Sequence, residues 1–399
     1  MDCRVGKLRF SRKESHIIGR GSNGTLVFRG VWSDEVPVAV KQMHKAFNNM
    51  VVISKEIQVL MQLTKTDCPN IVRYIDREED DIFVYLGITL CDLSLQELIE
   101  DSRNAPKLSM LDSGRLIRDM ADGVFFLHTN NIVHNDLNPR NILFKDNRLL
   151  ISDMGLSKML VDTSFTFTHG PTGHGGYHPA EVLKEQRKTN SVDIFSLGCL
   201  LFYVLTSGGH PFGGSPMDRA YKIFNKHQPD LSLLQGNHAA VDLINQMVSH
   251  DPEVRPTIRQ VLRHPLFWLS DQRRKFMEAV HHASKKKPHT YLNHFVLADG
   301  SKQAFLVEGW DRSIDPVLLS KLKVKVTLPY RYESVKDLVR CIRNSIVHHQ
   351  DILLDTKRPL FESQQAAWSY FDSKFPTLLI YLYRQLSINP DPTYLADFY

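Results

Sequence analysis

The sequence has few cysteines, no long apolar run and no strong excess of charge of either sign. Its five cysteines are scattered, with no close pair among them: Cys3, Cys68, Cys91, Cys199 and Cys341. That spacing favours free thiols in a reducing compartment over a disulfide framework or a zinc site. No segment approaches the roughly 18 apolar residues that a membrane span needs, and the first residues contain no apolar signal core. No membrane contact is therefore expected within this chain, and a cytoplasmic location is predicted.

The overall composition is that of an ordinary globular protein. Hydrophobic residues make up 42% and charged residues 23% of the 399 positions, enough for two or three domains with sizeable cores. The formal net charge of +5 is too small to indicate a partner by itself. The chain also lacks internal repeats and low-complexity blocks, which argues against a solenoid or a disordered linker protein.

The order of the elements indicates an α+β chain of two domains. The first ninety residues read as strands with one helix from Ser54, and helices dominate after about residue 92. We expect a bilobal domain over residues 1–268, with lobes at about 8–91 and 92–268. A small all-α domain is expected over 269–399, after a basic connection at 284–289.

A glycine turn lies near the start of the first domain. Gly19, Gly21 and Gly24 follow the G-x-G-x-x-G spacing between two predicted strands, where glycine lets backbone N–H groups approach phosphate oxygens. The spacing alone suits an ordinary hairpin equally well. Val27 follows three residues later, where an apolar side chain can cover a purine.

A lysine and a glutamate follow the turn in the order that a nucleotide site needs. Lys41 ends the strand segment Val-Ala-Val-Lys, and Glu56 lies on the next helix. A lysine between phosphates and a carboxylate is held charged and aimed at the phosphates. The alternative is a surface lysine and a solvated glutamate, which this order disfavours.

Two further segments resemble the catalytic and metal-binding loops of protein kinases. In HNDLNPRNIL, Asp136 matches the catalytic aspartate, and Asn141 matches a magnesium ligand. In ISDMGLSK, Asp153 matches the second magnesium ligand. Three later matches are GGYHPAE at 175–181, Asp193 and Arg255. The series indicates a protein-kinase fold that binds ATP or ADP with Mg²⁺.

The departures from the kinase pattern bear on its activity. Asn135 replaces the arginine that normally pairs with an activation-segment phosphate, which an amide cannot match in strength. Asn138 replaces the lysine that neutralises the transferring phosphoryl group, so transition-state stabilisation is lost. Met154 is a tolerable apolar replacement for phenylalanine. Nucleotide binding is expected to survive, whereas transfer to other proteins is expected to be weak or directed at the chain itself.

The informative stretch of the second domain is residues 328–351. A helix from about Ser334 has an apolar stripe formed by Val335, Leu338, Val339, Ile342 and Ile346. Arg340, Asn344 and His348 are spaced by four and share another face, with Arg343 alongside. Basic residues outnumber acidic ones here. On its own, the pattern favours a plain amphipathic helix with a solvated cationic face.

The same side chains are the parts of a metal-free RNA-cleaving site. Arginine offers a planar fork to phosphate, and asparagine offers an amide donor. Histidine can deliver a proton to a leaving oxygen near neutral pH, and a tyrosine can help to withdraw the ribose 2′-hydroxyl proton. Such a site leaves a 2′,3′-cyclic phosphate.

The whole chain resembles the kinase and kinase-extension nuclease unit of the inositol-requiring sensors of the unfolded protein response, shared with ribonuclease L. The likeness rests on HPLFW at 264–268, a strand region with Trp310 and Asp311, DLVRCIRN, and SKFPTLLIYLY at 373–383, and it is of the plant type. It implies that Arg343 and Asn344 are the family's Arg-Asn pair and that His348 is its catalytic histidine. The catalytic tyrosine is Tyr330 without a gap, or Tyr332 with one.

The resemblance implies an RNA substrate, a homodimer or higher oligomer formed through the kinase domain, and a role in messenger RNA splicing under endoplasmic reticulum stress. Family members carry a lumenal sensor and a membrane span upstream, so the chain is expected to be a cytosolic fragment or a shortened relative. Two alternatives remain: an active serine/threonine kinase with a non-catalytic C-terminal domain, and a pseudokinase scaffold.

Overall fold

The computed structural model describes residues 2–21, 24–46, 50–64, 68–154, 158–159, 175–186, 189–286, 308–324, 328–352, 360–388 and 393–399. The chain forms two compact units. The first comprises Met1–Leu234 with Leu243–Leu262, and the second comprises Gln235–Asp242 with Arg263–Tyr399.

A seven-stranded antiparallel sheet opens the first unit. Its strands are β1 (Cys3–Val5), β2 (Leu8–Phe10), β3 (Ile17–Arg20), β4 (Leu26–Trp32), β5 (Val36–His44), β6 (Tyr74–Glu79) and β7 (Phe83–Thr89). They run in the order β1-β2-β4-β5-β7-β6, and β3 pairs with β4. The valine-rich β5 lies in the middle of the sheet because β-branched side chains pack well on a pleated surface. Its register sets Lys41 opposite Val27 on one side and Leu86 on the other.

The helix between β5 and β6 is longer than the sequence predicts. α1 spans Met50–Thr64, so Ser54 lies inside the helix and does not cap it. Nothing in the four residues before Ser54 breaks a helix, and serine is tolerated within one, so the start predicted at Ser54 is wrong.

Helices are the main secondary structure of the described residues between 95 and 263. They are α2 (Leu95–Glu100), α3 (Ala105–Ser109), α4 (Ser113–Thr129), α5 (Ala180–Leu183), α6 (Ser191–Leu205), α7 (Pro216–Phe224), α8 (His238–Met247) and α9 (Ile258–Arg263). Short strands accompany them: β8 (Leu93–Ser94), β9 (Ile132–Val133), β10 (Ile142–Lys145), β11 (Arg148–Ile151) and β12 (Lys158–Met159). α6 is buried all round, as expected of a helix in the middle of a core. The described part of the chain holds no helix that is both long and apolar enough to cross a membrane.

The described residues of the second unit are helical and contain no strand. Its helices after residue 263 are α10 (Ser270–Lys286), α11 (Pro316–Val324), α12 (Val335–Val347), α13 (Gln364–Lys374) and α14 (Leu378–Ser387). Their apolar faces meet in one core around Trp310, Phe276 and Phe371. The α+β fold class, with a kinase fold followed by an all-α domain, is confirmed.

Two local predictions for the second domain have opposite outcomes. α12 begins after Ser334, whose hydroxyl accepts the Asp337 N–H at 3.2 Å, and the predicted apolar stripe is buried, so this helix is confirmed. The strand predicted around Trp310 is wrong, because Trp310–Ser313 is a 3-10 helix. Gly309 before it has a φ of +89°, a left-handed value that ends any extended strand.

Trp268, the last residue of the predicted kinase domain, packs in the core of the second unit against Phe276 and Phe398. The boundary at residue 268 stays a prediction.

Candidate functional site

The glycine turn lies between β3 and β4. Gly19 pairs with Val27 across these strands, and the Gly21 N–H donates to the Thr25 carbonyl oxygen at 2.9 Å, which closes the turn. Gly24 has a φ of +72°, and no other atom lies within 4 Å of where its Cβ would be. Glycine is therefore needed at position 24 for its backbone conformation rather than for space.

Lys41 forms an ion pair with Asp153. The Lys41 Nζ lies 2.9 Å from the Asp153 Oδ1, and this positive charge holds the pKa of Asp153 low, although burial acts in the opposite direction. Asp153 has a φ of +60°, a left-handed value that a residue other than glycine adopts only when its surroundings enforce it. The Glu56 side chain lies outside the described residues, so its predicted pairing with Lys41 stays a prediction.

Asp193, which is fully buried, binds the backbone of the catalytic loop. Its carboxylate accepts the backbone N–H groups of His134 and Asn135 at 2.8 and 2.7 Å, and it lies 2.9 Å from the His128 Nε2. Asn135 itself has a φ of +64°. Asparagine tolerates positive φ values better than most residues do. The replacement of arginine by Asn135 therefore suits the backbone conformation, even though it removes the positive charge.

Neutral amides surround the carboxylate of Asp136. Asn141 donates to its Oδ2 at 3.0 Å and Asn138 to its Oδ1 at 3.2 Å. His178 lies 3.5 Å from the same Oδ1 and is also buried. Position 138 therefore adds no positive charge next to Asp136.

The donor set suits a magnesium ion. Asn141 turns its side-chain nitrogen towards Asp136, which leaves the amide oxygen as the candidate ligand, and Asp153 supplies a carboxylate. Oxygen atoms of these kinds are the ligands that Mg²⁺ prefers. These side chains would hold the ion, and a bound ion would neutralise phosphate charge.

A buried ion pair stabilises the end of the activation segment. Arg255 donates to both carboxylate oxygens of Glu181, at 3.0 Å on Oε2, and both side chains are nearly inaccessible to solvent. Two parallel hydrogen bonds to a carboxylate are the strongest contact that arginine makes.

The nuclease candidates meet at the end of α12. The Asn344 Nδ2 lies 3.3 Å from the Tyr330 hydroxyl, and the Arg343 Nη1 donates to the Asn344 Oδ1 at 3.2 Å. His348 caps the helix, and its N–H donates to the Asn344 carbonyl oxygen at 2.9 Å. Asn344 thus links the other three residues.

A cavity of about 250 Å³ opens at this point. Seven residues line it: Lys321, Leu322, Tyr330, Asn344, His348, Asp351 and Ile352. It combines a cation, an amide, a phenol and an imidazole on an apolar floor. That mixture suits a nucleotide with its phosphate.

Tyr330 and Tyr332 differ in their surroundings. Tyr330 is buried at the cavity wall and contacts Asn344. Tyr332 packs edge-on against Trp310, with ring centroids 5.1 Å apart, and is not one of the cavity's lining residues in the described part of the chain. The geometry favours Tyr330 over Tyr332 as the tyrosine of this site.

Burial raises the pKa of Tyr330 to about 12, further raised by Cys341, while the Asn344 hydrogen bond and the Arg340 charge act in the opposite direction. The phenol is therefore neutral at pH 7. Tyr330 can serve as a hydroxyl that exchanges hydrogen bonds with a ribose 2′-hydroxyl, and it is not a standing phenolate base.

Asp351 lies beside His348 on the cavity wall, with 3.3 Å between its Oδ2 and the His348 Nδ1. A carboxylate that binds Nδ1 fixes the orientation of the imidazole ring and leaves Nε2 to face a ligand, as in many active sites. Asp351, Lys321 and His178 are site residues that the sequence pattern does not indicate. Of these three residues, only Asp351 could have been found from helical spacing, because it lies three residues after His348.

His281 on α10 is a buried neighbour of the site that the sequence analysis also missed. It is 3% exposed. Burial lowers its pKa to about 4, helped by the positive charges of Lys285, Arg343 and Arg340. In the folded state it is therefore neutral at pH values where an unfolded histidine is protonated.

The second unit should lose stability as the pH falls from about 6.5 to 4. In this window the unfolded state binds a proton at His281 and the folded state does not, which costs up to about 3 kcal/mol. Urea unfolding followed by tryptophan fluorescence checks this, because three of the four tryptophans lie in this unit. His281→Leu should remove that part of the pH dependence, and the exposed His282→Asn should not. Equal losses in wild type and His281→Leu would rule out His281 as the source.

Each half of the chain matches a known protein family. The protein kinase domain matches residues 12–267, and ribonuclease 2-5A matches residues 273–399. The chain belongs to the inositol-requiring kinase/endoribonuclease family. The resemblance stated from the motifs is thus confirmed.

Relatives match nearly the whole chain. The serine/threonine-protein kinase/endoribonuclease IRE1 of Oryza sativa subsp. japonica is 36% identical over 96% of this chain and 44% of its own length. Two probable serine/threonine-protein kinases of Dictyostelium discoideum, irlA and irlD, are 45% and 46% identical. They cover 96% and 100% of this chain, and 31% and 30% of their own lengths. The chain thus spans about a third of these Dictyostelium proteins, to which its identity is higher than to the rice protein.

Proposed function

We propose that the chain is an endoribonuclease controlled by a nucleotide-binding kinase fold. The observation that carries the proposal is the hydrogen-bonded set of Tyr330, Asn344 and Arg343 beside a cavity that Tyr330, Asn344 and His348 line. A plain amphipathic helix would have no reason to gather an amide, a phenol, a guanidinium and an imidazole in this way. The match to ribonuclease 2-5A over the same residues supports the proposal.

The proposed reaction is a transesterification that needs no metal at its own site. The ribose 2′-oxygen attacks phosphorus, the bond from phosphorus to the 5′-oxygen breaks, and a 2′,3′-cyclic phosphate forms. His348 gives a proton to the departing 5′-oxygen. The 2′-hydroxyl proton leaves through the Tyr330 oxygen, whose own proton passes to solvent. Arg343 stabilises the negative charge that develops on the phosphate oxygens. Asn344 holds the side chains of Arg343 and Tyr330 in position.

The kinase half would act as the control element. Lys41, Asp153 and Asn141 are arranged to hold ATP or ADP with Mg²⁺, and the glycine turn at 19–24 would cover the phosphates. In the resembling family, nucleotide favours a dimer through the kinase domain that aligns two nuclease domains. We infer the same for this chain: ADP would shift the population towards the competent dimer. The role in endoplasmic reticulum stress and messenger RNA splicing, at the cytosolic face of that organelle, belongs to the same proposal.

The experiment that tests the proposal measures RNA cleavage with and without ADP, beside transfer of labelled phosphate to protein. The account expects cleavage to rise more steeply than linearly with protein concentration, and ADP to shift that rise to lower concentration. An active kinase with an inert second domain would give label transfer without cleavage. A pseudokinase scaffold would give neither.

A serine/threonine kinase is the second candidate function, because Asp136, Asn141, Lys41 and Asp153 are all in place. Transfer to an external peptide should be weak, and Asn138→Lys should raise it by about tenfold or more, since it restores positive charge beside the transferring group. Asn138→Gln is the matched control, because it adds length without charge. Robust wild-type turnover, or an equal gain from glutamine, would contradict the electrostatic explanation.

Self-phosphorylation, if it occurs, is expected in the activation segment, between residues 153 and 181. The candidates are Thr163, Ser164, Thr166, Thr168 and Thr172, which lie outside the described residues.

A further inference from the structure

Arg340 lies one turn before Asn344 on α12 and contacts the segment that carries Tyr330. Its Nη2 donates to the carbonyl oxygens of Leu328 and Pro329, at 3.1 and 3.0 Å. Its guanidinium carbon lies 4.6 Å from the centroid of the Tyr330 ring. One planar group thus binds the backbone before Tyr330 and covers the ring itself.

Asp337 completes this arrangement from the other side of Tyr330. Its Oδ1 lies 3.2 Å from the Arg340 Nη2, and its Oδ2 accepts the Arg331 N–H at 3.0 Å. Both side chains are largely buried, with 10% and 20% of their surfaces exposed. The backbone is therefore fixed to α12 on both sides of Tyr330 by polar contacts.

These contacts matter because burial does little to fix the chain before Tyr330. Leu328 is 66% exposed and offers no apolar anchor. Trp310 packs edge-on with the Tyr330 ring, at 5.7 Å between centroids. Arg340 and Trp310 thus both pack against the Tyr330 ring, whose hydroxyl lies 3.3 Å from the Asn344 Nδ2.

We propose, on the basis of the nuclease function argued above, that Arg340 is a positioning residue that clamps residues 328–330 onto α12 and aims the Tyr330 hydroxyl. The Arg340 Nη2 is directed at two carbonyl oxygens and at Asp337. A direct contact with phosphate is the competing role. Lysine cannot substitute well, because it lacks the planar group that covers the Tyr330 ring while it donates hydrogen bonds.

A double-mutant cycle separates these roles. Arg340→Ala should lower kcat by about 10- to 100-fold with little change in KM, since a small misplacement of a catalytic group has effects of that order. In a Tyr330→Phe background, the same substitution should cost less than about twofold, because the hydroxyl it positions is already gone. Arg340→Lys should recover only part of the loss. Lys336→Ala, on the same helix, is the matched control and should behave as wild type.

An equal loss in both backgrounds would assign Arg340 a direct role and overturn the proposal, as would a change confined to KM. If Arg340→Ala does not fold, Arg340→Lys in the two backgrounds gives the same comparison.

Hydrogen exchange gives a readout that does not depend on cleavage. The Arg331 amide, bound to Asp337, should exchange about tenfold faster or more in Arg340→Ala than in wild type, and Lys336→Ala should not change it. Unchanged exchange at Arg331 would overturn the clamp. If wild type cleaves no RNA while exchange responds as expected, the proposed nuclease function fails and the clamp stands as a structural feature.

Discussion

Replacing His348 with asparagine should lower the rate of RNA cleavage by roughly 10²- to 10⁴-fold. His348 is the only imidazole among the described residues that line the cavity, and the departing 5′-oxygen needs a proton donor. Without it the leaving group departs as an alkoxide, which is a far poorer path. Arg343→Ala should cause a loss of similar size, since it removes the charge that stabilises the pentacoordinate phosphorus.

The controls for this prediction lie next to His348 in the sequence. His349 bonds to the Ile346 carbonyl oxygen and is not among the lining residues of the cavity in the described structure, so His349→Asn should cleave like wild type. Asparagine also suits the end of a helix, and His348 is about half exposed, so the His348 variant should fold normally. Full activity in His348→Asn, measured by single-turnover cleavage of a labelled RNA, would remove the basis for the proposed chemistry.

An RNA with a 2′-deoxy sugar at the scissile position should not be cleaved there at all. In the proposed reaction the 2′-oxygen is the nucleophile. The matched substrate carries the same modification one nucleotide to the 3′ side and should be cleaved at the normal rate. Gel analysis of both substrates checks this. Cleavage of the modified bond would mean hydrolysis by water and a different mechanism.

The kinase half shows how much local sequence can specify. The glycine turn, Lys41 and Asp153 were each placed on the right element, because their spacing is set by backbone hydrogen bonding over a few residues. The close contact of His178 with Asp136 could not be predicted from the sequence, since these residues are 42 positions apart and meet only through tertiary packing. The replacement of lysine by Asn138 was visible, but its two bonds to Asp136 were not.

In the second unit, periodicity gave α12 correctly and put Arg340, Asn344 and His348 on one face. It assigned no role to Arg340, whose carbonyl partners Leu328 and Pro329 lie in the loop before the helix. The strand predicted at Trp310 failed because the left-handed backbone of Gly309 decides the local path, and hydrophobic pattern carries no such information. Tyr330 fits the family's spacing without a gap and Tyr332 only with one, and burial and contacts distinguish the two further.

The central claim is that this chain cleaves RNA without a metal at the reacting phosphate. The most direct measurement is cleavage by the wild-type chain at high protein concentration in EDTA without nucleotide, with the product ends identified by mass spectrometry. The account predicts cleavage under these conditions and products that end in 2′,3′-cyclic phosphate. No cleavage until a divalent ion is restored, or products that end in a 3′-hydroxyl, would contradict it.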